Sequence, residues 1–186
     1  NNAIRTLPRK MKVKFDVGIT ASEIAVGKKI GAGVAGIHTT PNGIVERLGG
    51  VVSAESLEAG GSGYKASTTF TAASTFNITG GGTGLTMNVT AGSDGVLTGG
   101  VINAAGSGYS VGDLVGIVTS SLGAGQQSGS GAVFSIDGIS ATDTLYLTDV
   151  QGQTFSNNAP LLHFNGTQFV ACTGTGNKQV DGTVNT

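Results

Sequence analysis

The sequence predicts an all-β protein, a sandwich or small barrel built from a duplicated unit of about 45 residues, with at most one short helix. Three observations lead to this prediction. The composition disfavours long helices, several segments alternate apolar and polar residues, and the tetrapeptide Gly-Ser-Gly-Tyr occurs twice, 45 residues apart.

The composition is typical of a strand-rich chain with tight turns. Charged residues make up 11% of the 186 residues, against roughly a quarter in average soluble domains. The chain contains 33 Gly and no Trp. Thr, Val, Ile and Phe separated by Gly favour short strands over the amphipathic helices that Leu, Glu and Lys build. Because 38% of the residues are hydrophobic and many alternate with polar ones, we expect a folded core rather than a disordered Gly-rich chain.

Strand-like alternation begins near the N-terminus. In residues 11–17 the apolar residues are Met11, Val13, Phe15 and Val17. This spacing predicts a half-buried strand in which these four side chains face inward and the lysines between them face outward.

Other segments predict a helix, a strand and a hairpin. Residues 20–23 have the spacing of a capping box, which predicts a short helix that could extend to Ile30. Residues 144–150 alternate and predict a further strand. Two apolar runs within residues 161–172 are separated by Asn165-Gly166, which predicts a hairpin.

The Gly-Ser-Gly-Tyr motif marks a duplication. It occurs at residues 61–64 and 106–109, and in each copy a later Gly, Gly84 or Gly131, begins an alternating strand. Each copy is expected to contain three strands joined by Gly-rich turns. Two copies are fewer than the three or more that stacked repeat arrays need, which favours a sandwich or small barrel. The predicted structural turn residues are Gly61, Gly63, Tyr64, Gly106, Gly108 and Tyr109.

Four segments are predicted along the chain. Residues 1–50 are expected to be a basic docking segment with one strand and the short helix. Residues 51–141 hold the duplicated unit, residues 142–172 the C-terminal hairpin, and residues 173–186 a polar tail.

Charge is distributed unevenly along the chain. Residues 1–47 contain eight basic and three acidic residues, a net charge of +5, whereas residues 48–186 contain two basic and eight acidic residues, a net charge of −6. We expect the basic segment to bind an acidic surface of a neighbouring subunit or another protein. The alternative is a solvated edge strand whose lysines prevent unwanted pairing. Nucleic acid is disfavoured because no aromatic residues interleave the early basic cluster. The predicted interface residues are Arg5, Arg9, Lys10, Lys12 and Lys14.

No set of residues predicts catalysis, a cofactor or a metal centre, so we expect the chain not to be an enzyme. Residues 31–36 match the spacing Gly-x-Gly-x-x-Gly, but no strand–helix alternation surrounds them. His38 and His163 are 125 residues apart, and His163 is expected to pack in an apolar strand. Cys172 is the single Cys and is expected to be a small buried apolar residue.

Two further sequence features bear on partners. No apolar run approaches the roughly 18 residues that span a membrane. Asp137, Asp143 and Asp149 recur every six residues, which leaves calcium at β-turns as an alternative to simple turn capping.

The second copy of the motif carries a family resemblance. Ala-Gly-Ser-Gly-Tyr followed by Ser-Val-Gly-Asp-Leu-Val, ending at Val115, resembles repeats in virion structural proteins of tailed phages, those of marine cyanobacterial phages above all. Residues 143–152 are similar to segments of the same proteins, so the resemblance covers roughly residues 57–155. The first copy departs from the pattern after Tyr64, where Lys65-Ala66-Ser67 replaces the Val-Gly-Asp step. The resemblance implies a structural protein on the exterior of a virion and implies no catalytic residues.

Three functions are compatible with these features. The leading expectation is a capsid decoration or cement protein that binds the major capsid protein or other virion proteins, as a homo-oligomer such as a trimer. The alternatives are a tail, baseplate or fibre component, and an adhesin that binds a host surface or glycan. The absence of Trp and the presence of only three Tyr disfavour the last, because glycan sites commonly use aromatic platforms.

Overall fold

The computed structural model describes residues 9–15, 21–123, 128–152, 155–173 and 180–185, and in these residues the chain is nearly all β. The elements in chain order are β1 (Met11–Phe15), α1 (Ala21–Ile24), β2 (Lys29–Ala32), β3 (Asn42–Ser62), β4 (Thr69–Asn77), β5 (Thr83–Ala91), β6 (Leu97–Ser107), β7 (Leu114–Ile117), the 3₁₀ helix η1 (Thr119–Leu122), β8 (Ser130–Gln151), β9 (Leu161–Phe164), β10 (Phe169–Ala171) and β11 (Val180–Asn185). The all-β prediction is confirmed, and α1 is a single turn of helix.

The chain forms two compact units. Unit 1 comprises Asn1–Leu48 together with Asp143–Thr186, and unit 2 comprises Gly49–Thr142. Unit 2 therefore contains the duplicated segment, whereas the basic N-terminal segment and the C-terminal hairpin belong to the same unit. The long strands β3 and β8 contribute residues to both units.

Unit 2 is a curled antiparallel sheet in which the two sequence copies exchange strands. The first copy supplies part of β3 with β4 and β5, and the second supplies β6, β7 and part of β8. Their order across the sheet is β3-β8-β7-β4-β5-β6. The order is the same from either end of the sheet when the strands of one copy are replaced by the equivalent strands of the other. The two copies are therefore related by an approximate two-fold axis. The first strand of each copy pairs with the third strand of the other.

Equivalent backbone hydrogen bonds bring the ends of this sheet together. Gly50 and Tyr109 exchange two bonds of 2.7 and 3.1 Å, and the Tyr64 N–H donates to the Gly95 carbonyl at 3.0 Å. Gly95 follows Gly50 by 45 residues, as Tyr109 follows Tyr64. Each contact joins one end of the first strand of one copy to the first strand of the other. These bonds account for the curl of the sheet.

The core of unit 2 repeats the same symmetry. Buried side chains at equivalent positions of the two copies face one interior, and most are less than 5% exposed. The equivalent pairs are Val52 and Leu97, Tyr64 and Tyr109, Phe70 and Val115, Leu85 and Ala132, Met87 and Phe134, and Val89 and Ile136. Both copies must therefore be folded for this core to be complete.

Unit 1 is built on the strand order β10-β9-β2-β3-β8, with β1 pairing to β8 and β11 pairing to β1. Its core includes Met11, Val13 and Phe15 of β1, which confirms the inward face predicted for them. Val17 lies outside the described residues. The predicted hairpin is present, because β9 and β10 pair across Asn165-Gly166.

Two expectations for unit 1 need correction. The helix ends at Ile24 rather than near Ile30, since Gly27 has a positive φ of 85° and Lys29 begins β2. The tail predicted from residue 173 ends in a strand, because β11 pairs along the whole of β1. Backbone hydrogen bonds to β1 hold β11 in the sheet. The polar, Gly-rich composition of residues 173–186 did not indicate this pairing.

Candidate functional site

The predicted basic interface lies on and just before β1. Arg5 lies outside the described residues. Arg9 and Lys10 are exposed, and each contacts another residue of unit 1. The Arg9 Nη1 donates to the Gly152 carbonyl at 2.7 Å, and the Lys10 Nζ lies 2.6 and 2.9 Å from the two carboxylate oxygens of Glu46. An exposed pair of this kind contributes about 0 to 1 kcal/mol to stability, so the contact leaves the Lys10 ammonium accessible to solvent.

Lys12 departs from the prediction that the lysines of β1 face solvent. Its side chain is buried, and its Nζ lies 5.7 Å from the centroid of the Tyr146 ring. Tyr146 stands directly opposite Lys12 in the β1–β8 register, and the Arg47 guanidinium lies 3.9 Å from the same ring. Because β1 has strand neighbours on both sides, it is not an edge strand, and the edge-strand alternative is wrong.

Burial shifts the pKa of Lys12. Removal from water lowers the pKa of the Lys12 ammonium, and the positive charges of Lys14 and Arg47 lower it further. The carboxylate of Asp143 acts in the opposite direction. Lys12 is therefore a structural residue whose amino group lies over the Tyr146 ring. Of the five predicted interface residues, the ones described with solvent access are Arg9, Lys10 and the half-buried Lys14.

The Gly-Ser-Gly-Tyr motifs are structural, and their geometry repeats closely. They end strands rather than form turns, because Gly61 lies in β3 and Gly106 in β6. The φ angles of Gly61 and Gly106 are 62° and 64°, and those of Gly63 and Gly108 are 78° and 77°. Tyr64 and Tyr109 follow these glycines and are 4% and 2% exposed. The first tyrosine covers a Gly of the second copy, and the second covers a Gly of the first.

The sequence repeat includes both covered glycines, but it did not indicate that a tyrosine packs on each. A Cβ on Gly129 would overlap the Tyr64 ring, and a Cβ on Gly82 would overlap the Tyr109 ring. Both lie two residues before the positive-φ glycines that begin the third strands, Gly84 and Gly131. The available signal was this shared spacing, a Gly-x-Gly step 47 residues apart in the two copies.

A cleft in unit 1 brings together residues that the sequence did not connect. Its volume is about 590 Å³, and its walls include Glu23, Lys28, Lys29 and His163. The Glu23 side chain is almost fully buried, and its Oε1 lies 3.3 Å from the His163 Nε2. The Thr173 N–H donates to both Glu23 oxygens at 3.0 Å, and the Thr173 hydroxyl donates to Oε1 at 2.9 Å. The sequence suggested Glu23 only as a helix-capping residue and His163 only as a packed one.

Cys172 is buried beside this cleft. Loss of contact with water raises the pKa of its thiol to about 12, and the charge of Glu23 contributes to the increase. The thiol therefore stays protonated at neutral pH, which fits the expected small apolar residue better than a nucleophile.

The raised thiol pKa predicts a loss of stability at alkaline pH. The unfolded thiol loses its proton near pH 9, while the folded one keeps it to about pH 12. Folding is therefore unaffected below pH 9 and weakens by about 1.4 kcal/mol per pH unit above it. From pH 8 to pH 10.5, we expect the free energy of unfolding in urea to fall by about 2 kcal/mol more in the wild type than in Cys172→Ala. Parallel curves for the two proteins would contradict this assignment.

Within the described ranges, no group of three or more His, Cys, Asp or Glu side chains is placed to hold a metal ion. Of the three recurring aspartates, Asp137 accepts hydrogen bonds from the Ser56 and Ser135 hydroxyls, which lower its pKa. No helix in the described part of the chain is long and apolar enough to cross a membrane. Residues 31–36 begin in β2, and no helix follows them in residues 33–41.

Comparison with protein-family models, with curated proteins and with solved structures finds no match to this chain. A functional proposal therefore rests on the sequence resemblance together with the chain's own geometry and charge. The structure has exposed cations at the start of β1, the buried tyrosines of the two Gly-Ser-Gly-Tyr motifs in unit 2, and a cleft lined by two lysines in unit 1.

Proposed function

We propose that the chain is a non-enzymatic structural protein of a tailed-phage virion, and that it binds the outer capsid surface as a decoration or cement protein. The Gly-Ser-Gly-Tyr duplication carries this proposal, since it is the feature that resembles virion structural proteins. In unit 2 the tyrosines of this motif are buried, and its glycines have positive φ angles. A motif used in this way builds a rigid body and leaves recognition to other surfaces.

The docking surface is proposed to be the cations at the start of β1. Arg9 and Lys10 are exposed, and Lys14 is half-buried on the strand that follows. The contacts of Arg9 with Gly152 and of Lys10 with Glu46 are exposed and weak, so both cations remain accessible to an acidic surface. Lys12 is excluded from this surface because Tyr146 covers it. A symmetric oligomer such as a trimer would multiply a weak contact of this kind.

Thermal stability of the particle tests the cementing role. Particles whose gene for this protein has been deleted are heated beside wild-type particles, and release of the packaged genome is followed with a DNA-binding dye. We expect release several degrees lower in the deletion particles, and recovery when purified protein is added. Equal release temperatures together with no binding of added protein would contradict the proposal.

Rebinding to deletion particles tests the docking surface. The triple variant Arg9→Gln, Lys10→Gln, Lys14→Gln is expected to bind about tenfold more weakly than wild type, a loss of about 1.4 kcal/mol. The control is Lys65→Gln, which removes an exposed charge from unit 2 and is expected to bind as wild type does. Equal loss in both proteins, or no loss in the triple variant, would contradict docking through β1.

A tail, baseplate or fibre component is the second candidate, since the resemblance is to a repeat that occurs in several parts of a virion. Immunogold labelling of intact particles separates the two. Label on the capsid supports decoration, label confined to the tail supports the second candidate, and the absence of label from particles contradicts both.

A further inference from the structure

We infer that unit 1 binds a small oxyanion-bearing ligand in the cleft formed by the turn between α1 and β2 and by the β9–β10 hairpin. This site is independent of the proposed particle location. The cleft volume of about 590 Å³ falls within the range of small-molecule pockets. Its lining combines the apolar ring of Phe164 with the polar groups of Lys28, Lys29, His163 and Asn165.

The charge of the cleft favours an anion. Two lysines and one glutamate line it, so its net charge is positive even with a neutral His163. The Glu23 carboxylate keeps its negative charge, but its side chain is only 10% exposed and both of its oxygens accept hydrogen bonds from Thr173. Lys28 is exposed and Lys29 is half-buried, so the more accessible charges of the cleft are positive.

The backbone holds the two lysines in position. The Gly27 N–H donates to the Val45 carbonyl at 2.8 Å, and the Val45 N–H donates to the Lys28 carbonyl at 2.9 Å. Lys29 lies in β2, and its Nζ stands 5.7 Å from the centroid of the Phe169 ring. Both lysines thus project from a backbone tied to β3, which reduces the ordering that binding must still impose.

Glu23 acts as a positioning residue for the opposite wall. Its buried carboxylate lies 3.3 Å from the His163 Nε2, and Thr173 fixes the carboxylate in turn. This chain of contacts orients the imidazole at the cleft. The class of ligand that fits is a phosphate, sulfate or carboxylate, either free or on a small ring that can lie against Phe164.

Nuclear magnetic resonance titration tests this inference. Amide spectra of the full chain are recorded with sodium phosphate and, separately, with sodium glucuronate, with sodium chloride used to hold ionic strength constant. We expect saturable shifts at residues 27–29 and 163–166 with a millimolar dissociation constant for at least one probe. Saturation by glucuronate alone identifies an acidic saccharide, and saturation by phosphate identifies a phosphate site.

Matched variants decide whether the cleft is responsible. Lys28→Gln combined with Lys29→Gln is expected to weaken binding at least tenfold, whereas Lys65→Gln leaves it unchanged. Both sets of changes remove the charge and keep a polar side chain, and the exposed Lys28→Gln alone serves as the test if the double variant loses its dispersed spectrum. Shifts that do not saturate below about 100 mM with either probe, or binding that is equal in the cleft variant and the wild type, would overturn the inference.

Discussion

Alanine at Gly61 or Gly106 is expected to destabilise the protein by about 4 kcal/mol or more, enough to prevent folding of unit 2. Both glycines have positive φ angles near 60°, where an added Cβ is strained. A Cβ on Gly61 would also overlap the Ser130 carbonyl oxygen and lie 2.6 Å from the Ala132 nitrogen. At Gly106 the same atom would lie 2.6 Å from the Leu85 nitrogen. Urea unfolding followed by circular dichroism measures the loss.

Substitutions at two other glycines distinguish the cost of backbone strain from the cost of steric overlap. At Gly112, with a φ of 88°, an added Cβ meets nothing within 4 Å, so Gly112→Ala is expected to cost about 1 kcal/mol. At Gly99 the space is also open and φ lies outside the positive range, so Gly99→Ala should change stability by less than about 0.5 kcal/mol. Similar losses at Gly61 and Gly99 would contradict the close approach of strands from the two copies.

Replacing Tyr64 or Tyr109 by Ala is expected to cost about 3 to 5 kcal/mol, and the two losses should agree within about 1 kcal/mol. Each ring is buried and lies over a Gly of the other copy, so each truncation opens a cavity in the shared core. Thermal and urea unfolding of both variants provide the measurement. The similarity of the two losses matters as much as their size, because it follows from the two-fold relation of the copies.

Phenylalanine at the same positions provides the control. Tyr64→Phe keeps the ring and removes the hydroxyl, which accepts a hydrogen bond from the Ala132 N–H, so a loss of about 1 kcal/mol is expected. A large loss at one tyrosine with almost none at the other would show that the copies do not share one core.

The local features of unit 2 could be predicted from the sequence because they depend on neighbouring residues. Positive-φ glycines, the tyrosine that follows them and the alternating strands after Gly84 and Gly131 are all short-range signals. The exchange of strands between copies could not be predicted in this way. β5 and β6 form a local hairpin, whereas pairing of β3 with β8 is long-range, and alternation alone does not choose the partner of β3.

In unit 1 the features that the sequence did not predict also depend on contacts between residues that are distant in the sequence. Alternation correctly placed Met11, Val13 and Phe15 inward, but it could not reveal that Tyr146 covers Lys12 on the other face. That burial requires β8 and β11 to flank β1, and β11 is polar enough to resemble a tail. The contact of Glu23 with His163 joins residues 140 positions apart, for which the sequence carried no spacing signal.

A difference map between wild-type and deletion particles, obtained by electron cryomicroscopy, tests the proposed role most directly. The account predicts extra density at regular, symmetry-related positions on the outer capsid surface, with the cations at the start of β1 facing the shell. Density restricted to the tail, or no density difference on the particle, would contradict a capsid decoration protein.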